Sequence, residues 1–305
     1  MITFARMERL RAYRYHLAAL FTVSVWGATF VSTKVLIAHG LTPAWIFFLR
    51  FALAYACILP LAPRRLWLGS AADEALALAA GVTGGSLYFL TENIALQYAP
   101  ASNVSLIVCT APLWTALLLG ALDRRERMTR RQTAGSLIAF AGMVLVVLNG
   151  RFVLRLSPAG DLLALSAALL WMLYSLLVKR ILGRCEALLV TRKIFFYGLA
   201  TISPALFAGA GAPPAWLLAR PAVWGNLLFL GLVASMLCYL VWNAVIRRLG
   251  AVRATNYIYF NPLVTMLTAA LFIGERITAA AMAGAALILS GMWMAERGGT
   301  PRRTQ

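Results

Sequence analysis

Ten stretches of this chain, at about 16–38, 43–61, 74–96, 99–121, 131–149, 158–179, 188–209, 222–246, 254–273 and 278–295, are almost continuously apolar. A membrane-spanning helix needs about 20 such residues. The runs take up roughly two thirds of the chain at that length, so loops and short tails make up the rest. A transmembrane β-barrel would show weak alternation over about 10 residues instead. Composition agrees: 62% of the 305 residues are hydrophobic and 12% are charged, against about 45–50% and about 25% in soluble domains. A water-soluble enzyme, a disordered regulator and a disulfide-stapled chain are thereby excluded. The expected class is an all-α polytopic membrane protein. The first run follows Arg6, Arg9, Arg11 and Arg14 but is long and leads straight into further runs, so it reads as a retained helix rather than a cleaved signal.

The net charge of +18 is a matter of topology. With the N-terminus placed in the cytoplasm, 22 of the 28 lysines and arginines fall on inner segments, four on outer ones and two, Lys34 and Arg50, within spans. Cytoplasmic loops carry such an excess, so both termini are expected to face the cytoplasm. Basic charge in short clusters between apolar runs makes no soluble patch, and no nucleic-acid partner is expected. Cys57, Cys109, Cys185 and Cys238 form no C-x-x-C pair, and His16 and His39 stand at helix ends. No metal site or cofactor is expected from that set.

The chain repeats itself. Glu126-Arg127-Met128-Thr129 with Gly135 and Gly142 returns as Glu275-Arg276-Ile277-Thr278 with Gly284 and Gly291, at an offset of 149. Asn93 matches Asn243 and Pro112 matches Pro262 at 150, while Trp26 matches Trp171 and Lys34 matches Lys179 at 145. Three segments in the same order indicate a duplication, with repeats at 1–150 and 151–305. Five spans per repeat is an odd number, so the second repeat enters the membrane inverted. Inverted repeats are a hallmark of secondary transporters, whose site lies between the halves near the bilayer midplane.

Trp26-Gly27-x-x-Phe30, the Ala111-Pro112 helix, both Glu-Arg-x-Thr segments with their glycines, and Gly160-Asp161 leading into Trp171 and Tyr174 resemble the drug/metabolite transporter superfamily. Within it the chain is most similar to the EamA family of bacterial inner-membrane permeases. The resemblance spans both repeats. It implies ten helices around a central cavity, an inner-membrane location and export of amino acids or related small metabolites.

Ionisable side chains inside a span are costly, by about 2.5–3.5 kcal/mol at the centre on the insertion scale. Lys34, Arg50 and Glu92 are the three that stand out. Each lies about 6–10 Å from the outer end of its helix, so a cluster is open to them. They would then hold a carboxylate substrate or exchange a proton through Glu92 or Lys34. The structural alternatives are a Glu92–Arg50 pair that locks helices together and a Lys34 that snorkels to the headgroups. Glu92 has no acidic counterpart, because Trp242 stands at offset 150.

Other candidates for the cavity come from the paired spans. Pro112 and Pro262 remove a backbone donor and bend their helices; bent helices in membranes often line a cavity. Asn93, Asn103, Asn243, Asn256 and Asn261 bond either substrate or a neighbouring helix. Trp26, Tyr88, Trp171, Tyr174, Tyr239 and Tyr257 are aromatic candidates for a wall that accepts the apolar part of a substrate. Gly135, Gly142, Gly284 and Gly291 are read as helix-packing positions. Thr129, Thr278 and Ser157 are read as N-caps, with Pro158 and Asp161 in the first turn.

The leading expectation is a secondary exporter of small metabolites, with the bilayer as its surroundings and no assignment of oligomeric state. A lipid-handling or flippase-like protein is the alternative. A membrane-embedded enzyme fits less well: the chain has no H-E-x-x-H motif and no paired acids at membrane depth, and no Walker-type segment for ATP.

Overall fold

A computed structural model describes residues 2–62, 67–99, 101–122, 127–148, 157–207, 211–273 and 277–297, with side chains from residue 13 onward except at 101–103, 269, 272 and 273. Regular structure among the described residues is helical, with no strand. α1 spans Ile2–Ala38 and α2 Pro43–Ile58. α3 (Ala71–Gly81) continues through a π-helical stretch, Val82–Ser86, into α4 (Leu87–Tyr98). α5 (Ala101–Val108) and α6 (Ala111–Leu122) follow, then α7 (Arg130–Leu148). After them come α8 (Pro158–Ile181), α9 (Ala187–Phe207) and the short α10 (Ala215–Leu218). α11 (Pro221–Leu228) continues through a second π-helical stretch, Phe229–Leu237, into α12 (Cys238–Leu249). α13 (Ala251–Asn256), a 3-10 turn at Tyr257–Phe260 and α14 (Asn261–Ile273) precede α15 (Ala279–Arg297).

Six described helices are long and apolar enough to cross a membrane: Tyr13–Ala38, Val104–Leu122, Arg130–Leu148, Pro158–Ile181, Pro221–Leu249 and Ala279–Arg297. The protein is thus a multi-pass membrane protein. The other four expected spans are also helical but shorter, charged or interrupted. α2 has 16 residues, 71–98 carries Asp73, Glu74 and Glu92, α9 carries Arg192 and Lys193, and 251–273 is broken at Tyr257–Phe260.

Local chemistry sets the helix starts. Thr129 Oγ1 accepts from Gln132 N at 3.2 Å while Gln132 Oε1 accepts from Thr129 N at 2.9 Å, a reciprocal cap. Thr278 Oγ1 accepts from Ala281 N at 3.2 Å. Ser157 occupies the N-cap of α8 before Pro158, but its hydroxyl makes no cap bond; Asp161 Oδ2 accepts from Ser157 N instead, at 3.1 Å. Glu126, Glu275 and Arg276 lie outside the described residues.

The paired prolines do more than bend their helices. Pro112 and Pro262 each stand second in a new helix, α6 and α14, after a break. Proline has no N–H for the residue four back and its ring clashes with that carbonyl. The residues four back are Val108 and Ile258, where the preceding helix ends or tightens. The Ile258 carbonyl so freed accepts the Cys109 thiol at 3.8 Å.

Packing partners recur with the sequence repeat. α4 lies on α8 as α12 lies on α1; α3 lies on α9 as the Phe229–Leu237 stretch lies on α2; α6 lies on α8 as α14 lies on α1. Gly81 and Gly231, 150 apart, fix the register: a Cβ on Gly81 would sit 3.1 Å from Ile194 O, and one on Gly231 would sit 3.1 Å from Arg50 O. α2 and α9 therefore correspond at an offset of 144, which pairs Arg50 with Ile194 and Phe51 with Phe195. α7 and α15 pack on each other along the four expected glycines; a Cβ on Gly142 would lie 2.6 Å from Ile288 N, and one on Gly284 2.6 Å from Gly142 O. Only glycine allows so close an approach of two backbones.

Candidate functional site

The aromatic core of the fold opens into a hollow. Trp26 of α1 and Trp171 of α8 meet edge to face, with centroids 5.2 Å apart. Trp26 is also 5.0 Å from Trp242 and is tied by its indole N–H to Ala234 O at 3.0 Å. Beside this cluster lies a space of about 510 Å³, counting its open mouth. Its lining comes from α1 (Trp26, Thr29, Phe30), α2 (Arg50), α4 (Tyr88, Phe89, Glu92), α5 and α6 (Val108, Ala111), α8 (Trp171), α12 (Tyr239), Ile258 and Asn261. Val108 and Ile258, the residues the two prolines act on, both face it.

Seven of the expected residues meet here: Trp26, Arg50, Tyr88, Glu92, Trp171, Tyr239 and Asn261. Arg50 is 2% exposed, donates from Nε to Ser235 Oγ at 2.9 Å and lies 4.3 Å over the Phe89 ring. Glu92 accepts from the Tyr88 hydroxyl at 3.2 Å. No ion pair joins Arg50 to Glu92 among the described residues. A direct lock between them is therefore not what the geometry shows; an acid and a base face one space without touching. Two further polar atoms of the lining, Trp171 Nε1 and Asn261 Oδ1, are buried without a hydrogen-bond partner. Cation, anion, donor and acceptor thus share a pocket whose walls are otherwise aromatic and aliphatic.

The remaining candidates lie elsewhere, each for a visible reason. Lys34 is exposed and lines no part of the hollow, which leaves Arg50 and Glu92 as its charges. Asn93 donates to Pro43 O at 3.4 Å, and Asn243 bridges the Tyr174 hydroxyl and Thr191 Oγ1, both at 2.8 Å. Asn256 accepts from Ser136 at 3.3 Å, and Tyr257 bonds His16 Nδ1 at 2.6 Å. These four side chains, with Tyr174, spend their polar atoms on neighbouring helices. Pro112 and Pro262 are buried next to lining residues Ala111 and Asn261, shaping the wall through the backbone. The side chain of Asn103 lies outside the described residues.

Sequence reasoning missed Thr29, Phe30, Phe89, Val108, Ala111 and Ile258 in the lining, and Ser235 behind Arg50. The repeat held a signal for several of them, since 89/239, 108/258 and 111/261 are pairs at the offset of 150 already carried by the prolines. A second charged cluster was also missed. Arg192 and Lys193, whose charges were counted with the inner segments, sit inside α9 at the start of the 188–209 run and are buried. Lys193 Nζ pairs with Glu74 Oε1 at 2.8 Å, and Glu74 also accepts from Tyr197 Oη and Leu68 N. Arg184 reaches Asp73 at 3.4 Å. The acid at the start of α3 gives the Lys193 ammonium a buried partner. Glu74 and Glu92 are 18 residues apart on the continuous 71–98 helix, about 27 Å, so this pair joins α3 to α9 far from the hollow.

The four cysteines are free. Burial first, then Asp73, raises the pKa of the Cys185 thiol in the loop after α8, so it stays protonated and is no activated nucleophile. Among the described residues no group of three or more His, Cys, Asp and Glu could hold a metal.

Comparison with known proteins follows the same geometry. The model of the EamA-like transporter family matches twice, at residues 14–148 and 158–296. A probable amino-acid metabolite efflux pump of Salmonella typhimurium is 28% identical over 300 residues, covering 94% of this chain and 96% of its own. A probable terminal-alkyne amino-acid exporter of Streptantibioticus cattleyicolor is 28% identical over 295 residues, covering 94% and 95%. A crystal structure with 21% sequence identity superposes with a TM-score of 0.74 over 96% of this chain and 99% of that one, which shows a shared fold. The two family matches together take in nearly every described helix, and the chain belongs to the EamA-like transporter family.

Proposed function

We propose that this protein is a secondary carrier that exports amino acids or closely related zwitterionic metabolites by alternating access. The observation that carries this reading is that Arg50 and Glu92 face one aromatic hollow without a direct ion pair between them. A substrate carboxylate suits Arg50, whose planar guanidinium matches its geometry, with the Trp171 indole N–H beside it. A substrate ammonium suits Glu92 and Asn261 Oδ1. The apolar part of the substrate lies against Trp26, Phe30 and Tyr239. Keeping two opposite charges apart in a buried site costs several kcal/mol per ion; a zwitterion that pairs with both offsets that cost on binding. The names of the two relatives point to the same substrate class.

The same reading takes the molecule as ten spans in two inverted repeats, 1–150 and 151–305, in a bacterial-type inner membrane with both termini cytoplasmic. Its support is the positive-inside bias and the paired packing of the two halves. The four helices that fall short by length or charge are then spans whose polar groups face the bundle interior, as intramembrane charges do.

The test is substrate counterflow in proteoliposomes with a panel of amino acids, amines and sugar phosphates, beside Glu92→Gln. Saturable exchange confined to compounds with both an ammonium and a carboxylate is expected, reduced at least tenfold in the variant. Exchange of amines and acids alike would remove the zwitterion reading. No exchange by folded protein would move it to the lipid-handling alternative, which a scrambling assay reads.

A further inference from the structure

The two π-helical stretches stand at the same place in the two halves: at the offset of 150, Val82–Ser86 falls on 232–236, within Phe229–Leu237. A π turn takes in an extra residue, and such bulges are frequent at functional sites. Each stretch gives one carbonyl to an aromatic residue of the hollow, and the two carbonyls are counterparts. Ala234 O accepts from the Trp26 indole N–H at 3.0 Å, and Gly84 O accepts from the Tyr239 hydroxyl. The donors are not counterparts. Trp171 corresponds to Trp26, and Phe89, which has no hydroxyl, corresponds to Tyr239. α8 lies on Val82–Ser86 as α1 lies on Phe229–Leu237, so the repeat assigns the Gly84 carbonyl to Trp171. Trp171 lines the hollow instead with its Nε1 buried and without a hydrogen-bond partner among the described residues.

We infer that Tyr239 is a positioning residue: its hydroxyl takes the Gly84 carbonyl and so leaves the Trp171 indole N–H free for the substrate carboxylate. This rests on the carrier reading and extends it to a residue that acts through another. The surroundings hold the arrangement. A Cβ on Gly84 would lie 2.1 Å from Cδ2 of Tyr174, so the Tyr174 ring packs against the bare Cα of that glycine. Tyr174 is fixed there by its hydroxyl bond to Asn243 at 2.8 Å. The Trp171 ring stands 4.9 Å from Tyr174 and 6.3 Å from Tyr239, nearly perpendicular to the latter. On the related side Thr29 replaces Tyr174 and Ala234 replaces Gly84. There Phe89 brings no hydroxyl, and Trp26 keeps its carbonyl. A buried donor without an acceptor is costly, and a carboxylate that answers it removes that cost on binding. The bond is also stronger to a charged acceptor than to a neutral carbonyl. Of the two related tryptophans, Trp171 thus gives the substrate an N–H, and Trp26 gives it a ring face.

The test compares full-length Tyr239→Phe, Trp171→Phe and the double variant with the native chain, all reconstituted in vesicles. Each substitution removes one polar atom and keeps an aromatic ring. In zwitterion counterflow Tyr239→Phe is expected to raise KM about tenfold, the scale of one hydrogen bond to a charged group, with the maximal rate kept. The double variant is expected to match Trp171→Phe, because Tyr239 acts through that N–H. A second readout needs no substrate. The resonance Raman band of tryptophan that reports hydrogen bonding at the indole N–H is expected to gain one bonded indole in Tyr239→Phe, as Trp171 turns to the vacated Gly84 carbonyl. That gain is expected to vanish when Trp171→Phe is also present. Additive losses in the double variant, or an unchanged band in Tyr239→Phe, overturn the positioning role. Zwitterion exchange by the native chain with an unchanged KM in Tyr239→Phe overturns this inference and spares the carrier reading. The band change without zwitterion exchange by any of the four proteins strikes the carrier reading, and with it the place of the carboxylate at Trp171.

Discussion

The first half of the molecule places Arg50 and Glu92 where the second half places Ile194 and Trp242. The seam between α3 and α9 holds Glu74 and Lys193, where the related seam between α11 and α2 holds Trp224 and Leu49. Backbone packing is duplicated, whereas charge is not. Similar backbones with unequal side chains are what set the two halves apart. In this chain the charges of the hollow come from the first half, and the buried ion pair takes its acid from the first half and its base from the second.

The seams should differ most. Removing one member of the buried Glu74–Lys193 pair leaves an uncompensated charge, worth about 3–5 kcal/mol in proteins generally. Glu74→Gln is expected to lower the thermal midpoint of the purified protein clearly, the double variant Glu74→Gln/Lys193→Met to recover much of the loss, and Leu49→Val in the related seam to change it little. A double variant as damaged as the singles would break the contrast.

Making the first half resemble the second comes next. Arg50→Leu should reduce zwitterion transport by about 100-fold, on the order of 2.7 kcal/mol, whereas Ile194→Leu should leave it within about twofold, since a volume-conserving swap costs little. Counterflow rates at fixed protein decide this, and equal losses would end the claim that the halves differ in kind.

Glu92→Gln keeps the shape and the Tyr88 bond but drops the charge. Its expected effect is at least tenfold on zwitterion affinity and little on the weak competition by simple carboxylates, because only the former bring an ammonium. A uniform loss across both classes would assign Glu92 to structure.

Ser235→Ala is the smallest change. It removes the one hydrogen bond to Arg50 Nε, worth about 1 kcal/mol, and should raise KM about fivefold with the maximal rate kept. An unchanged KM would show that Phe89 alone holds the guanidinium.

Legibility followed the range of the interactions. Helical class, the duplication, the Thr129 and Thr278 caps and the glycine seam were readable because each depends on residues within a turn or two, or on a repeated spacing. Arg50, Glu92 and the tryptophan pair were found as candidates because charge in an apolar run and repeat-equivalent aromatics stand out locally. Asn93, Asn243, Asn256 and Tyr257 carried the same local signal, yet their side chains end on Pro43, Tyr174, Thr191, Ser136 and His16, from other helices. No spacing rule says which way a helix turns about its own axis. The Lys193 pair was missed for a related reason: its charge was counted with the inner segments, and the partner that makes its burial tolerable, Glu74, is far away in sequence.

By itself, the sequence determined a membrane-embedded helical bundle built twice, because hydropathy, repeat spacing and capping are properties of adjacent residues. The tertiary structure alone decided which side chains meet. It put Arg50 and Glu92 across one hollow unpaired, set Ser235 behind the arginine, joined Glu74 to Lys193 between the halves and left Trp242 with an unanswered N–H. The physical reason is rotation and register: a shift of one helix by a single residue turns each of its side chains by about 100°, and only packing against the neighbouring helices selects one setting.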